Sequence, residues 1–265
     1  MFYRATRTLF AVTALLGISH CLVAGIVDEN VEQSYAVPEK VNLTVRNTDG
    51  RIYVYGSDDS QIKITALKRA FSQERADAIE IRVQVEGDSA TIDTIYPPPA
   101  EEGLLADRSG TVDYIILVPQ SCTLAGVELT NGEILIEGLR GAAINARVEN
   151  GKLILRNSYA ITQASVGKGS MEIFYGWWEE SIPFSLAADV TNGDLKLALA
   201  ANSVLHLEAS APNGHINNRI NRDPEAEDSD DEKTLKAEIG AGAENVWTNF
   251  TLRAENGNIR LLRSF

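Results

Sequence analysis

The sequence predicts an all-β, single-domain, β-solenoid-like stack of strand–Asn-Gly–strand rungs, each about 20 residues long, with a short helix in its N-terminal module. The first observation behind this is a repeated phrase. Val127-Glu128-Leu129-Thr130-Asn131-Gly132-Glu133-Ile134-Leu135-Ile136 returns as Ala146-Arg147-Val148-Glu149-Asn150-Gly151-Lys152-Leu153-Ile154-Leu155. The same corner recurs at Gly169, Gly193, Gly214 and Gly257, with an outlying relative at Gly50. The second is an apolar period of two on both sides of each glycine. Positions +2 and +4 are Ile134/Ile136, Leu153/Leu155, Met171/Ile173, Leu195/Leu197, Ile216/Asn218 and Ile259/Leu261. Positions −3 and −5 are Leu129/Val127, Val148/Ala146, Val166/Ala164, Val190/Ala188, Ala211/Ala209 and Ala254/Leu252. Two strands that each bury one face follow from that pattern. The third is spacing: from Gly132 the glycines are separated by 19, 18, 24 and 21 residues, then by 43. A unit of this length cannot bury its apolar face alone and does so against its neighbours.

Asn-Gly suits a tight corner because glycine lacks a Cβ and asparagine tolerates the left-handed region. Simple hairpins remain an alternative to stacked rungs, because both geometries produce the same in/out pattern. Stacking at about 4.8 Å sets Glu133 over Lys152 and Glu137 over Arg156, so opposite charges are expected to meet outside. Asn218 breaks the apolar row, which marks an array end or a bound-water position.

In chain order, residues 1–25 read as an export signal: Arg4 and Arg7 precede an apolar run from Leu9 to Ile18. Lipidation at Cys21 and an uncleaved anchor from Leu9 to Val27 are the alternatives. Removing the segment leaves 22 basic against 37 acidic residues, a net charge of −15, which disfavours nucleic acid and anionic membrane surfaces. Cys122 is then the last cysteine, so no intramolecular disulfide forms. Residues 26–40 are expected to be a linker. An opening module over 41–97 should contain strands at Val41–Val45, Arg51–Tyr55, Gln61–Leu67, Ile79–Val85 and Ala90–Ile95, with Ser72 capping a helix that runs to about Ala78. Pro97-Pro98-Pro99 opens a polar loop to about Gly110. Strand Val112–Val118 leads into the stacked repeats of 111–265, interrupted by an acidic loop over 221–233. Phe250–Ala254 and Asn258–Leu262 form the last rung.

The run Val112-Asp113-Tyr114-Ile115-Ile116-Leu117-Val118-Pro119, followed by Asn-Gly rungs, resembles the bacterial putative-adhesin domain family, also called toast-rack domains. The resemblance spans about 41–265. It implies an extracytoplasmic β-repeat domain tied to envelope sensing or surface interaction, with no catalytic residues to carry over. The acidic loop and the pair Trp177-Trp178 depart from the family pattern.

Candidate chemistry is sparse. A glycan-cleaving β-helix needs clustered carboxylates on neighbouring rungs. Here the outer rows offer only scattered charge: Glu133, Lys152, Asp194 and His215, then Glu172, Lys196 and Asn217. His206 and His215 lack a two-histidine metal spacing, and Asp228-Ser229-Asp230-Asp231-Glu232 lacks the pattern of a calcium loop. Ser165 to Lys168 matches a Ser-x-x-Lys string but enters a β corner rather than a helix, and Gly167-Lys168-Gly169 has no following helix to bind a dinucleotide. No cofactor or metal is expected. Trp177 and Trp178, with Tyr175, are the candidate interaction surface: neighbours in a strand point oppositely, so one ring should leave the core, and exposed aromatics are frequent at contacts. In the packing alternative one ring caps the core and the other lies under its own loop near Trp247. The expected function is an exported, non-enzymatic envelope interaction or scaffold domain, at the periplasm or cell surface, with a protein or glycan partner. A polysaccharide-cleaving enzyme and a structural protein that self-associates through its solenoid ends are the alternatives.

Overall fold

A computed structural model describes residues 26–98, 109–220, 232–240 and 248–264. The expected signal segment, most of the polar loop after Pro98, residues 221–231 of the acidic loop and Trp247 lie outside the described residues.

Each of the four central phrases is one bent strand. β7 (Thr123–Glu137), β8 (Ala143–Arg156), β9 (Ile161–Phe174) and β10 (Ser185–Leu199) run straight through their corners. Neighbours pair in parallel and in register, with Gly132 opposite Gly151, Gly151 opposite Gly169, and Gly169 opposite Gly193. The hairpin alternative is thereby excluded, because the two halves of a phrase pair with the next rung and not with each other. Every −5, −3, +2 and +4 residue of the four central rungs is buried, and the two half-strands turn these rows to one common core.

The corner works differently from the expectation at one residue. Asn131, Asn150 and Asn192 do not take the left-handed backbone; among described residues Asn157 alone does so without being glycine, at φ 44°. The asparagines instead link rungs through their side chains. Asn131 Nδ2 donates to Asp49 Oδ1 at 2.9 Å, Asn150 Nδ2 to Asn131 Oδ1 at 3.2 Å, and Asn256 Nδ2 to Asn192 Oδ1 at 3.2 Å. Such amide ladders form where identical residues stack at strand spacing. Gly214 and Gly257 also turn their corners without a positive φ.

The opening module supplies a rung of its own. β2 (Asn42–Ser57) bends at Gly50 and stacks along β7 with Gly50 opposite Gly132. Its second half also pairs with β6 (Thr111–Pro119), and its first half with β5 (Ser89–Ile95). β3 (Gln61–Ala70) follows antiparallel to β6, and β4 (Glu80–Glu86) antiparallel to β5. Helix α1 (Gln73–Ala78) is capped as expected: the Ser72 hydroxyl accepts from the Arg75 N–H.

Residues 26–40 are not a linker throughout. β1 (Val27–Ala36) pairs antiparallel with the whole of β3, from Val27 opposite Ala70 to Ala36 opposite Gln61. The half-buried row of β1 is Val27, Glu29, Val31, Gln33 and Tyr35, and its two polar members hide the alternation. Glu29 is there because of Lys68, a buried lysine whose Nζ lies 3.0 Å from the Glu29 carboxylate. The same ammonium donates to the Ala76 and Ile79 carbonyls at 3.2 and 3.4 Å, closing the end of α1.

The order of the final rungs also differs from the sequence. β14 (Asn249–Asn256) and β15 (Ile259–Arg263) stack directly on β10, with Asn192 opposite Asn256 and Leu195 opposite Ile259. The rung that precedes them in the chain, β11 (Leu205–Ser210) with β12 (Ile216–Asn218), lies beyond them, and β13 (Thr234–Ile239) pairs antiparallel to β11. The apolar rows explain the exchange. Ile259 and Leu261 complete an inner row, whereas Asn218 stands half-buried opposite Leu261, a place tolerated where the stack ends.

The register places Glu133 opposite Lys152 and Glu137 opposite Arg156, yet these charges do not pair. Lys152 reaches diagonally to Glu172 at 2.9 Å, and Glu133 accepts the Tyr53 hydroxyl at 2.6 Å. Burial and that bond push the Tyr53 phenol up to about 12.

Cys122 is wholly buried and free, and burial pushes its thiol up to about 12. Iodoacetamide at mildly alkaline pH should therefore leave Cys122 unlabelled in the native protein and label it in denaturant, as read by peptide mass. Rapid native labelling would contradict a closed core at that rung.

Candidate functional site

The sequence pairs Trp177 with Trp178; the structure separates them. After Phe174 the chain leaves β9, and three hydrogen bonds fix its path. Tyr175 N–H donates to the Ala198 carbonyl at 2.9 Å, Gly176 N–H to Asn157 Oδ1 at 2.8 Å, and the Tyr159 hydroxyl to the Trp177 carbonyl at 2.6 Å. Burial raises the phenols of Tyr159 and Tyr175 above their ordinary range, so both hydroxyls stay protonated into alkaline solution. Trp178 turns inward against Phe184, Tyr175 and Phe250, with ring centroids 5.0, 6.0 and 6.1 Å away. Tyr175 is buried in the same cluster. Trp177 is turned out, 49% exposed, with its ring 6.2 Å from that of Tyr159. The expected three-residue surface thus reduces to Trp177, whose ring lies beside that of Tyr159, while Tyr175 and Trp178 belong to the core.

Beside it lies a residue that the sequence pattern does not single out. Phe174 is 37% exposed on the outer face of the second half-strands, where its row-mates are Glu137, Arg156 and Ala198. Its ring lies over Gly176: a Cβ there would stand 2.9 Å from Phe174 Cε1. A cavity of about 360 Å³ beside it is lined by Ile154, Arg156, Asn157, Phe174, Lys196 and Ala198 among others. Leu135 and Ile154 also point to this outer side, at the third position after each glycine, yet remain nearly covered by their neighbours. An aromatic at an otherwise charged row position was the available signal.

The outer face of the first half-strands is different. It holds a groove of about 450 Å³ floored by small residues such as Ala125 and Ala187 and edged by Glu128, Arg147, Asp189 and Arg253. Its charges largely answer one another across strands: Arg46 meets Asp93 at 3.0 Å, and Arg253 lies 3.8 Å from Asp189. Exposed pairs of this kind contribute about 0.2–1 kcal/mol each.

The other sequence candidates are not assembled into a site. Glu133, Lys152 and Asp194 share one outer row and Glu172 with Lys196 the next, each carboxylate beside a base or a hydroxyl. Ser165 and Lys168 lie within strand β9. Among the described residues no three of His, Cys, Asp and Glu come close enough to hold a metal ion. Among them, too, no helix is long and apolar enough to cross a membrane.

The fold defines the class: an open β-stack whose central rungs pair in parallel. Solved structures with a similar fold exist. One described as a putative cell adhesion protein from Clostridium sporogenes aligns over 89% of this chain and all of its own length, with 13% identity and a TM-score of 0.50. A putative adhesin from Bacteroides fragilis covers 88% of this chain and 97% of its own, at 11% identity and a TM-score of 0.30. No protein-family model matches the sequence, and no curated protein does. At 13% identity the likeness to the Clostridium structure shows the fold alone.

Proposed function

We propose that the chain is an exported, non-enzymatic interaction module of the cell envelope, acting at the periplasm or cell surface. It binds another envelope component through Trp177 and the face beside it. The observation that carries this reading is the division of labour between the two tryptophans: one ring anchors the segment, and the other is held in solvent by a fixed backbone. A large apolar ring kept exposed on a rigid base is suited to partner contact, because little conformational entropy is lost on binding. The adhesion named for the similar Clostridium structure agrees with such a role. End-to-end self-association is less well supported: the edge strand β1 carries the exposed acids Asp28 and Glu32, and charged edges resist pairing with their like.

The test is retention of the purified full-length protein on isolated cell envelope. Trp177→Ala should weaken retention by about thirtyfold, the scale of a lost contact anchor. Its stability should fall by less than about 1 kcal/mol, as for an exposed site. Undiminished retention would remove Trp177 from the interface and the reading with it.

A further inference from the structure

The outer face beside Phe174 carries a charge arrangement that folding does not require. Lys196 stands directly opposite Arg260 across β10 and β15, two like charges in facing positions. Facing like charges destabilise a sheet. Arg156, directly opposite Phe174, lies two strands from Lys196 and two residues further along the rung, about 12 Å away by strand spacing and rise. All three cations are exposed, and none has an ion-pair partner among the described residues. Lys196 also faces Glu172 on its other side, but Glu172 is ion-paired with Lys152 at 2.9 Å; Glu137 opposes Arg156 without contact within 4.0 Å, and both carboxylates line the same cavity. Setting these two carboxylates, Glu137 and Glu172, against Lys152, Arg156, Lys196 and Arg260 leaves two positive charges in excess (4 − 2), on a chain of net charge −13. Between the cations lies the exposed ring of Phe174, with the nearly covered Ile154 and Ala198 beside it. The Phe174 ring lies over Gly176, the residue before the exposed Trp177.

We propose that this face binds an acidic polysaccharide, a chain of pyranose rings bearing carboxylates; the inference names the ligand of the interaction module described above and rests on that reading. Sugar rings lay their C–H faces on Phe174 and Trp177, and their carboxylates meet Arg156, Lys196 and Arg260. Spaced cations separated by aromatic and apolar patches match a polymer whose charges are interrupted by apolar ring faces. Duplex nucleic acid, with one charge per about 1.7 Å, would meet the net negative charge of the whole chain more strongly than a polymer with one carboxylate per sugar ring. An acidic peptide supplies carboxylates without a flat C–H face for the rings.

The experiment is calorimetric titration of the full-length protein with polygalacturonate oligomers, their methyl-esterified form and poly-glutamate, in low and high salt. Polygalacturonate should bind, less tightly as salt rises, with the esterified chain and poly-glutamate each at least about tenfold weaker. Arg156→Gln/Lys196→Gln should weaken polygalacturonate about tenfold or more with an unchanged melting temperature. Phe174→Ala should weaken it while leaving the salt dependence intact. Equal affinity for the esterified chain, equal affinity for poly-glutamate, or no loss in the double variant would each overturn the proposal. If polygalacturonate does not bind while envelope retention still depends on Trp177, the ligand class is wrong and the interaction module stands. If retention is also independent of Trp177, both fall.

Discussion

Gly151→Ala should cost more than about 4 kcal/mol, enough to unfold the centre of the array in a domain whose whole stability is on the order of 5–15 kcal/mol. Gly151 sits at φ +139°, a region closed to side chains, and an added Cβ would lie 1.8 Å from the Gly132 carbonyl oxygen. That oxygen belongs to the rung below, so the clash cannot be relieved by a rotamer change; one rung must lift off the other. The next glycine meets the same obstacle, since a Cβ at Gly169 would stand 1.8 Å from the Gly151 oxygen. The measurement is the denaturant midpoint followed by circular dichroism, with Gly87→Ala as the control. Gly87 also has positive φ, but open space surrounds it, so that change should cost about 1 kcal/mol. Equal midpoints for the two variants would mean that the corners are not stacked.

Trp178→Ala should cost about 3–5 kcal/mol, the usual range for deleting a large buried ring. Trp178 is 8% exposed and packs on Tyr175, Phe184 and Phe250, so its loss opens a cavity between β9, the segment before β10, and β14. The strand β14 joins β10 to β11 inside the array, and loosening its Phe250 contact should lower the melting temperature of the whole stack. Thermal unfolding read by near-ultraviolet circular dichroism reports both the melt and the loss of a fixed aromatic environment. A melt unchanged from that of the parent would place Trp178 outside the core. Taken with Trp177→Ala, the pair separates packing from recognition at adjacent positions.

The candidate site was half legible. The sequence drew attention to Tyr175, Trp177 and Trp178, because two adjacent tryptophans cannot both face one core. It gave no means of choosing between them: that depends on where Tyr159 and Phe250 lie, which are distant in sequence. Phe174, Arg156, Lys196 and Arg260 were invisible as a group for the same reason. Each looks like an ordinary outward residue in its own strand, and only cross-strand register sets them side by side. Lys152 makes the complementary point. Its register neighbour is Glu133, as stacking requires, yet its ion pair is with Glu172 because a long flexible side chain chooses among several carboxylates at similar distance.

The sequence by itself determined what strictly local geometry determines. A period of two decides which side of a strand a residue occupies, and every apolar residue at +2 and +4 of the central rungs is buried accordingly. A glycine at each corner, a serine before α1 and a proline after Val118 act within a few residues of themselves, so their effects could be read directly. Tertiary structure alone decided which strands are neighbours. It placed the C-terminal rung inside the one that precedes it, recruited β1 onto β3 through Glu29 and Lys68, and brought unmatched cations to the edge of an aromatic patch. Pairing in a sheet joins segments far apart in the chain, and its energy rests on the fit of whole apolar rows rather than on any residue's own preference.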